Sequence, residues 1–416
     1  MKIAYTEETL AILESMQLQT EHIDGIFHSR STFDEQKITE ELIRNYSKFP
    51  LSKNSLDPTI DFFKSFQGKL PTKYEDPIDY PKLVKLLEMV SEAAISLKYE
   101  LPETISIGTV CSSQMNAHII QVGKNKTDYL LVFNRQMFLF IDLLSRYIAW
   151  LISNEVKNHP ENERLVPRKP TELEIQKLDE IIYYIINDQG IFRDNAGYIN
   201  IFVALDKFGA KLPNIDIDDV GLFLRDEIDI PMVTFVIAHE LMHVHLKHTI
   251  TNSKTVSVST PFDDEIFCDI NGLNIAVQTA TNFYKDFHPN GWQSLASVGS
   301  VLFLSCLDIT QRAAYVLNNG TMPPHVMEEV DIDVPENNKI DSYPTPLFRL
   351  MLVYNKLKLD VERAFAPNSS DWVFENCDWI DTFFMHAWKE MKGLYLDRYN
   401  ERKRMLDVAQ KYLSKE

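Results

Sequence analysis

The segment His-Glu-Leu-Met-His at 239–243 has the residue types and the spacing that suit metal chemistry. On an α-helix, residues four positions apart lie one above the other, so His239 and His243 present their imidazoles toward the same point. Two neutral imidazoles one turn apart match the nitrogen ligands of a tetrahedral zinc ion. Glu240 projects beside that point, where a carboxylate can take a proton from water and later deliver it to a leaving amine.

The residues before this pair favour a buried helix. The run VTFVIA at 233–238 is almost entirely apolar, and ionisable groups on a buried helix need partners such as a metal ion. The structural alternative is a pair of core histidines, satisfied by hydrogen bonds, on either side of a buried acid. Pro231 is expected to open the helix, because proline at the first helical position loses no hydrogen bond.

A second acidic segment, DDEIFCDINGLNIAV at 263–277, is predicted to be helical. Glu265 and Asp269 are one turn apart on one face, and Glu265 can supply a third metal ligand, with Asp264 as the reserve candidate. Asp269 can accept a hydrogen bond from the far nitrogen of a ligating histidine and so fix its tautomer. An acidic first turn also stabilises the helix dipole, which is an ordinary explanation for Asp263 and Asp264.

The order HExxH and then ExxxD resembles the pattern of the gluzincin metallopeptidases. Three further fragments resemble the HtpX/CAAX-prenyl-endopeptidase-like group: SQMNAH at 113–118, DYLLVFNRQMFLFIDLL at 128–144 and SYPTPLFRL at 342–350. More weakly, the plan is similar to the family of the soluble phage-exclusion peptidase Lit. The matching motifs are scattered between residues 105 and 350, and the membrane helices of the HtpX-like group are not evident here.

The resemblance implies roles for residues outside the two main motifs. It places Asn116 and Ala117 in an edge strand that binds the substrate. Tyr343 stands where the group has a histidine, and its hydroxyl can donate a hydrogen bond to a developing oxyanion. The alternative for Tyr343 is an ordinary turn residue before a proline. Arg349 is expected either to steady the site or to pair with a surface acid.

The sequence pattern predicts an α+β fold that is mostly helical, and the elements of this fold must position these residues. Helical periodicity covers 6–30, 33–49, 56–66, 80–99, 136–156, 172–187, 264–281, 293–317 and 388–415. Short runs rich in Ile, Val and Thr predict strands at 105–110, 115–122 and 128–134. We therefore expect a zincin-like core with a small mixed β-sheet at 101–350, and added helical regions at 1–100 and 351–416.

Composition and charge limit the class of protein. The 416 residues are 45% apolar and 25% charged, as in an ordinary globular protein. The formal net charge of −18 argues against a nucleic-acid partner, because phosphate backbones need a basic face. The first residues do not resemble a secretory signal, the longest uncharged stretch is interrupted by proline and polar residues, and the four cysteines form no CxxC pair. These features predict a cytoplasmic protein with reduced thiols and no membrane insertion.

Together these observations predict a zinc-dependent endopeptidase that hydrolyses a protein substrate with Glu240 as general base. A toxin or antiphage effector that cleaves one host protein is a narrower form of this prediction. The alternative is a non-catalytic, zinc-bearing scaffold or sensor. An acid at position 240 disfavours that alternative, because a purely structural zinc site has no use for a base.

Overall fold

The computed structural model describes residues 1–24, 61, 64–66, 68–75, 79–110, 117–123, 128–158, 168–188, 215, 219–253, 260–284, 289–322, 346–364 and 367–413. Within these ranges the chain has nine helices and one mixed sheet of four strands. The predicted mostly helical α+β class is therefore confirmed. The helix predicted at 33–49 lies outside the described residues.

The elements follow one another with few strands and long helices. The strands are β1 (Lys2–Ile3), β2 (Thr104–Val110), β3 (Ala117–Val122) and β4 (Asp128–Asn134). The helices are α1 (Glu7–Asp24), α2 (Asp79–Ser96), α3 (Arg135–Asn158), α4 (Glu172–Asp188), α5 (Asp219–Ser253), α6 (Pro261–Tyr284), α7 (Pro289–Asn319), α8 (Pro346–Ala364) and α9 (Pro367–Leu413). The two-residue strand β1 is an element that the sequence analysis does not predict.

The chain divides into two compact units. The first comprises Met1–Ala149, Ile217–Ser259 and Phe267–Ser297, and the second comprises Trp150–Asp216, Thr260–Ile266 and Val298–Glu416. The first unit contains the sheet. In the second unit, Arg398 of α9 donates to both carboxylate oxygens of Asp179 on α4, at 2.7 and 2.5 Å. Its guanidinium also lies 4.2 Å from the ring centroid of Tyr183, so charge pairing and ring stacking hold α9 against α4.

The sheet has the strand order β1-β2-β4-β3. Strands β1 and β2 are parallel, β2 and β4 are parallel, and β3 is antiparallel to β4. Leu130 and Val132 of β4 pack with Leu13 of α1 on one face, whereas Tyr129 contacts His248 of α5 from the other. Strands β2 and β4 are accordingly buried on both faces, while β3 lies at the edge of the described sheet and is half-buried from 117 to 121.

Helix α5 carries the histidine pair and is longer than the sequence predicts. It runs from Asp219 to Ser253 with Pro231 inside it, so the prediction that Pro231 opens the helix is wrong. Proline removes one backbone hydrogen bond from a helix interior. Ile228 and Met232 are buried on either side of it, so packing continues across the proline and supports the earlier turns.

Two helical segments are long and apolar enough to cross a membrane by length and composition. They are Met137–Asn158 and Ala296–Asn319, and 61% and 78% of their most apolar windows are buried inside the protein. The core helices of soluble proteins meet the same two criteria. Length and hydropathy therefore do not separate a spanning role from a core role for either segment.

The first turns of α5 hold two carboxyl groups that burial makes harder to ionise. Burial, reinforced by the charge of Asp226, raises the pKa of Glu227 to about 7. Burial likewise raises the pKa of Asp229 to about 6, although the ammonium of Lys82 opposes the shift. The part of α5 that precedes the histidines is thus sensitive to pH near neutrality.

The substitution Glu227→Gln is expected to reduce the pH dependence of stability. Because the folded-state pKa lies above the ordinary value of 4.5, the folded protein holds more protons than the unfolded chain between these two values. The free energy of unfolding therefore falls as pH rises through this window. Because Glu227 is partly exposed and solvent screens its charge, Gln should remove a decline of about 1–2 kcal/mol, less than the full pKa shift would give. Urea unfolding at pH 5 and pH 8 measures the change. The exposed Glu88, replaced in the same way, is the control, and equal slopes for wild type and Glu227→Gln would contradict the assignment.

Candidate metal centre

Helix α6 begins at a capping box formed by Thr260 and Asp263. The Asp263 N–H donates to Thr260 Oγ1 at 3.2 Å, and the Thr260 N–H donates to Asp263 Oδ2 at 3.3 Å. Each bond satisfies an amide at the helix start that would otherwise lack a partner. Asp263 therefore serves the helix end, and the helix it starts sets the register of Glu265 and Asp269.

His239 and His243 lie one turn apart on α5, with their rings nearly perpendicular. Their Nε2 atoms are 3.2 Å apart and the angle between the ring planes is 80°. Two nitrogens bound to one tetrahedral zinc at roughly 2.0–2.1 Å lie about 3.3 Å from each other. The separation therefore suits two ligands of one ion. It also permits a hydrogen bond between the rings, which requires a proton on one of the two Nε2 atoms.

Asp269 of α6 contacts the other nitrogen of His239. Its Oδ1 lies 2.8 Å from His239 Nδ1, and the side chains of His239 and Asp269 are only 8% and 1% exposed. At this distance an ionised carboxylate favours the tautomer that carries its proton on Nδ1, and that tautomer leaves the lone pair of Nε2 for a metal ion. This is the contact that the spacing of the acidic segment suggests for Asp269.

Glu265 completes a group of three candidate ligands. One ligand atom from each of His239, His243 and Glu265 lies within 4.8 Å of the others, so this group could hold a metal ion. It is the one such cluster among the residues that the structure describes, and Asp264 does not belong to it. Two imidazoles and one carboxylate form a donor set that zinc takes in catalytic sites, where its fourth position stays open.

Arg349 of α8 contacts the third candidate ligand. Its Nη1 lies 3.4 Å from Glu265 Oε2, and the two side chains are 15% and 14% exposed. A carboxylate has two oxygens with about four lone-pair directions, so it can pair with a guanidinium and still face a cation. Arg349 thus pairs with a mostly buried candidate ligand, and its role in steadying a metal site stays a prediction.

Of the remaining predicted site residues, two lie in described elements and two do not. Glu240 lies on α5 next to His239 and is buried. Ala117 is the first residue of β3 and pairs with Phe133 of β4. Asn116 and Tyr343 lie outside the described residues, and their roles stay predictions.

Gly272 of α6 lets the two site helices approach each other closely. A Cβ atom at this position would lie 3.0 Å from the backbone nitrogen of His239 and 3.1 Å from its Cα. Gly272 belongs to none of the sequence motifs described above. A glycine costs stability in a helix interior, so its presence there, in a chain with only 13 glycines, is the signal that points to close packing.

Aromatic contacts fix the same two helices beyond the histidine pair. The His245 ring stacks on Phe267 of α6, with 6.2 Å between centroids, and meets Tyr99 edge-on at 5.4 Å. His245 Nδ1 is also 2.8 Å from the main-chain oxygen of Glu100. The hydroxyl of Tyr99 donates to Asn271 Oδ1 at 2.6 Å. His245 therefore has a packing role between α5 and α6.

The substitution Gly272→Ala is expected to weaken both folding and metal binding. The added methyl group would force the backbone at His239 to shift by a few tenths of an ångström. Overpacking of about 1–3 kcal/mol should exceed the gain of about 1 kcal/mol in helix propensity. We expect a lower melting temperature and zinc affinity reduced by about tenfold, measured by thermal unfolding and by competition with a chromophoric chelator.

Gly393→Ala on α9 is the matched control, since no atom lies within 4 Å of a Cβ built there. This control should leave stability unchanged or raise it by up to about 1 kcal/mol, with no effect on zinc affinity. A Gly272→Ala protein that binds zinc as tightly as the control does would show that the close approach is not needed for the site.

Comparison of the chain with protein-family models, with curated proteins and with solved structures finds no match. A chemical interpretation of the site therefore depends on its own residues and their geometry. That geometry consists of two imidazole nitrogens 3.2 Å apart, a buried carboxylate on one imidazole, and a third candidate ligand paired with an arginine.

Proposed function

We propose that this protein is a zinc-dependent endopeptidase of the gluzincin type, acting on a protein substrate in the cytoplasm. The observation that carries the proposal is the cluster of ligand atoms from His239, His243 and Glu265 within 4.8 Å of one another. The 2.8 Å contact between Asp269 Oδ1 and His239 Nδ1 adds support, because outer partners of this kind orient metal-binding histidines.

The proposed reaction is hydrolysis of an internal peptide bond. Bound zinc supplies a Lewis acid that polarises the carbonyl and makes water a stronger nucleophile. Glu240 accepts a proton as the water oxygen attacks the carbonyl carbon, and it delivers that proton to the nitrogen as the carbon–nitrogen bond breaks. Asp269 keeps His239 in one tautomer throughout. Tyr343 is the proposed donor to the oxyanion.

The proposed substrate-binding element is the edge strand β3. An edge strand presents main-chain groups to which an extended peptide can add through hydrogen bonds. Residues 117–121 are half-buried, and β3 has its described neighbour, β4, on one side. Such pairing reads backbone more than side chains, so the substrate would be an unfolded or flexible segment of a protein.

Removal of the proposed ligands should abolish stoichiometric zinc binding. We expect His239→Ala, His243→Ala and Glu265→Ala each to lower zinc affinity at least ~100-fold, a loss beyond that seen for outer-shell partners. Metal analysis after dialysis against a weak chelator, with circular dichroism to verify folding, measures the effect. The neighbouring Asp264→Ala is the control and should retain about one zinc per chain. Zinc loss in the control but not in Glu265→Ala would move the third ligand to position 264.

The substitution Glu240→Gln separates catalysis from metal binding. Gln keeps the size and hydrogen-bonding reach of the side chain but cannot accept the proton of water. We therefore expect normal zinc content and melting temperature, with peptide hydrolysis reduced by ~10²–10⁴-fold. Proteomic identification of new protein termini in cells that express wild type or Glu240→Gln would reveal the substrate. Equal cleavage by both proteins would exclude the mechanism, and zinc binding without any cleavage by wild type would favour a scaffold or sensor.

A further inference from the structure

Lys247 joins the histidine-bearing helix to the edge strand. It lies four residues after His243 on α5, so it continues the stripe of side chains that begins with His239. Its Nζ donates a hydrogen bond of 3.2 Å to the main-chain oxygen of Ile119, in the middle of β3. The helix face that presents the imidazoles therefore also holds the strand.

The surroundings strengthen this contact. Ile119 and its neighbour His118 are half-buried, and burial, together with the charge of Lys247, lowers the pKa of His118. A hydrogen bond from an ammonium group to a carbonyl is stronger in such a partly dehydrated place than in water. In the described sheet, β3 pairs with β4 alone. The hydrogen bond from the Lys247 ammonium group therefore adds a second attachment that helps to hold β3 in place.

We propose that Lys247 is a positioning residue, which sets the register and distance of β3 relative to the metal ligands so that an extended peptide binds with its scissile bond at the site. The inference rests on the proposed function. A helix fixes Lys247 about 6 Å along its axis from His243, at 1.5 Å per residue. Because Lys247 binds Ile119, the helix also sets the position of the β3 main-chain groups with which a peptide would form hydrogen bonds.

If Lys247 positions β3, the effect of replacing Lys247 should depend on the length of the peptide substrate. A peptide long enough to pair along β3 depends on the position of Ile119, whereas a short peptide that occupies only the metal site does not. Loss of one hydrogen bond that fixes the strand is comparable to about a tenfold change in binding. The affinity for long peptides should therefore change, while zinc binding and the hydrolysis of short peptides should not.

The test compares Lys247→Met, which keeps length but lacks the donor, with Lys247→Arg, which keeps a charged donor. Lys85→Met removes an exposed lysine from α2 and serves as the control. A fluorogenic decapeptide that wild type cleaves and a three-residue truncation of it are the substrates. For Lys247→Met we expect KM to rise about tenfold for the decapeptide alone, with kcat within about twofold. Lys247→Arg should restore most of the loss.

A second measurement does not depend on turnover. In zinc-loaded Glu240→Gln protein, the decapeptide should slow backbone hydrogen exchange at 117–122, and adding Lys247→Met should raise the peptide concentration needed by about tenfold. If wild type binds zinc but cleaves nothing, the proposed function fails. The positioning role rests on that function and fails with it, whereas decapeptide cleavage by wild type with an unchanged KM in Lys247→Met would defeat the positioning role alone.

Three results would overturn the inference. The first is an unchanged KM for the decapeptide, and the second is an equal loss for both peptides together with a lower melting temperature, as for a structural brace. The third is failure of Lys247→Arg to restore binding while it stays folded. Should Lys247→Met not fold, Lys247→Gln, whose side chain is one bond shorter and uncharged, replaces it under the same criteria.

Discussion

Helices α5 and α6 approach so closely that Gly272 lies against the backbone of His239, and this contact determines where the candidate ligands lie. Asp269 precedes Gly272 by three residues and Glu265 precedes Asp269 by four, so all three occupy neighbouring turns of one helix. A shift of α6 would therefore move both carboxylates together relative to the imidazoles. Because the two backbones are close, the short side chain of Asp269 reaches the imidazole, and its Oδ1 lies 2.8 Å from His239 Nδ1.

The position of α5 depends in turn on the sheet. His248 meets Tyr129 of β4, and Lys247 donates to Ile119 of β3, so consecutive residues of the helix contact adjacent strands. Strand β4 is buried on both faces and is paired with β2 on one side and β3 on the other. The histidine pair thus lies on a helix whose C-terminal half packs against a buried strand, and a preorganised site requires such support.

The sequence predicts the residues of the site better than it predicts how they are held. The two histidines and the pair Glu265–Asp269 are related by helical periodicity alone, which is local and readable from spacing. The approach at Gly272 is a tertiary contact, and spacing within one helix contains no information about the neighbouring backbone. Pro231 shows the converse case, since a local rule predicts a helix start and buried residues on both sides override it. Within the described sheet β3 lies at the edge, and its contact with Lys247 is a tertiary contact that sequence spacing does not predict.

Charge balance gives a further reason to associate this cluster with a divalent ion. Glu240, Glu265 and Asp269 carry three formal negative charges when ionised, and each is at least mostly withdrawn from solvent. Arg349 offsets one of them through its contact with Glu265. With neutral imidazoles, a dication brings the formal charge of these four side chains and the ion to zero, which reduces the cost of burying them. Without a dication, these carboxyl groups would need to bind protons, as burial favours for Glu227, or to pair with cations other than Arg349.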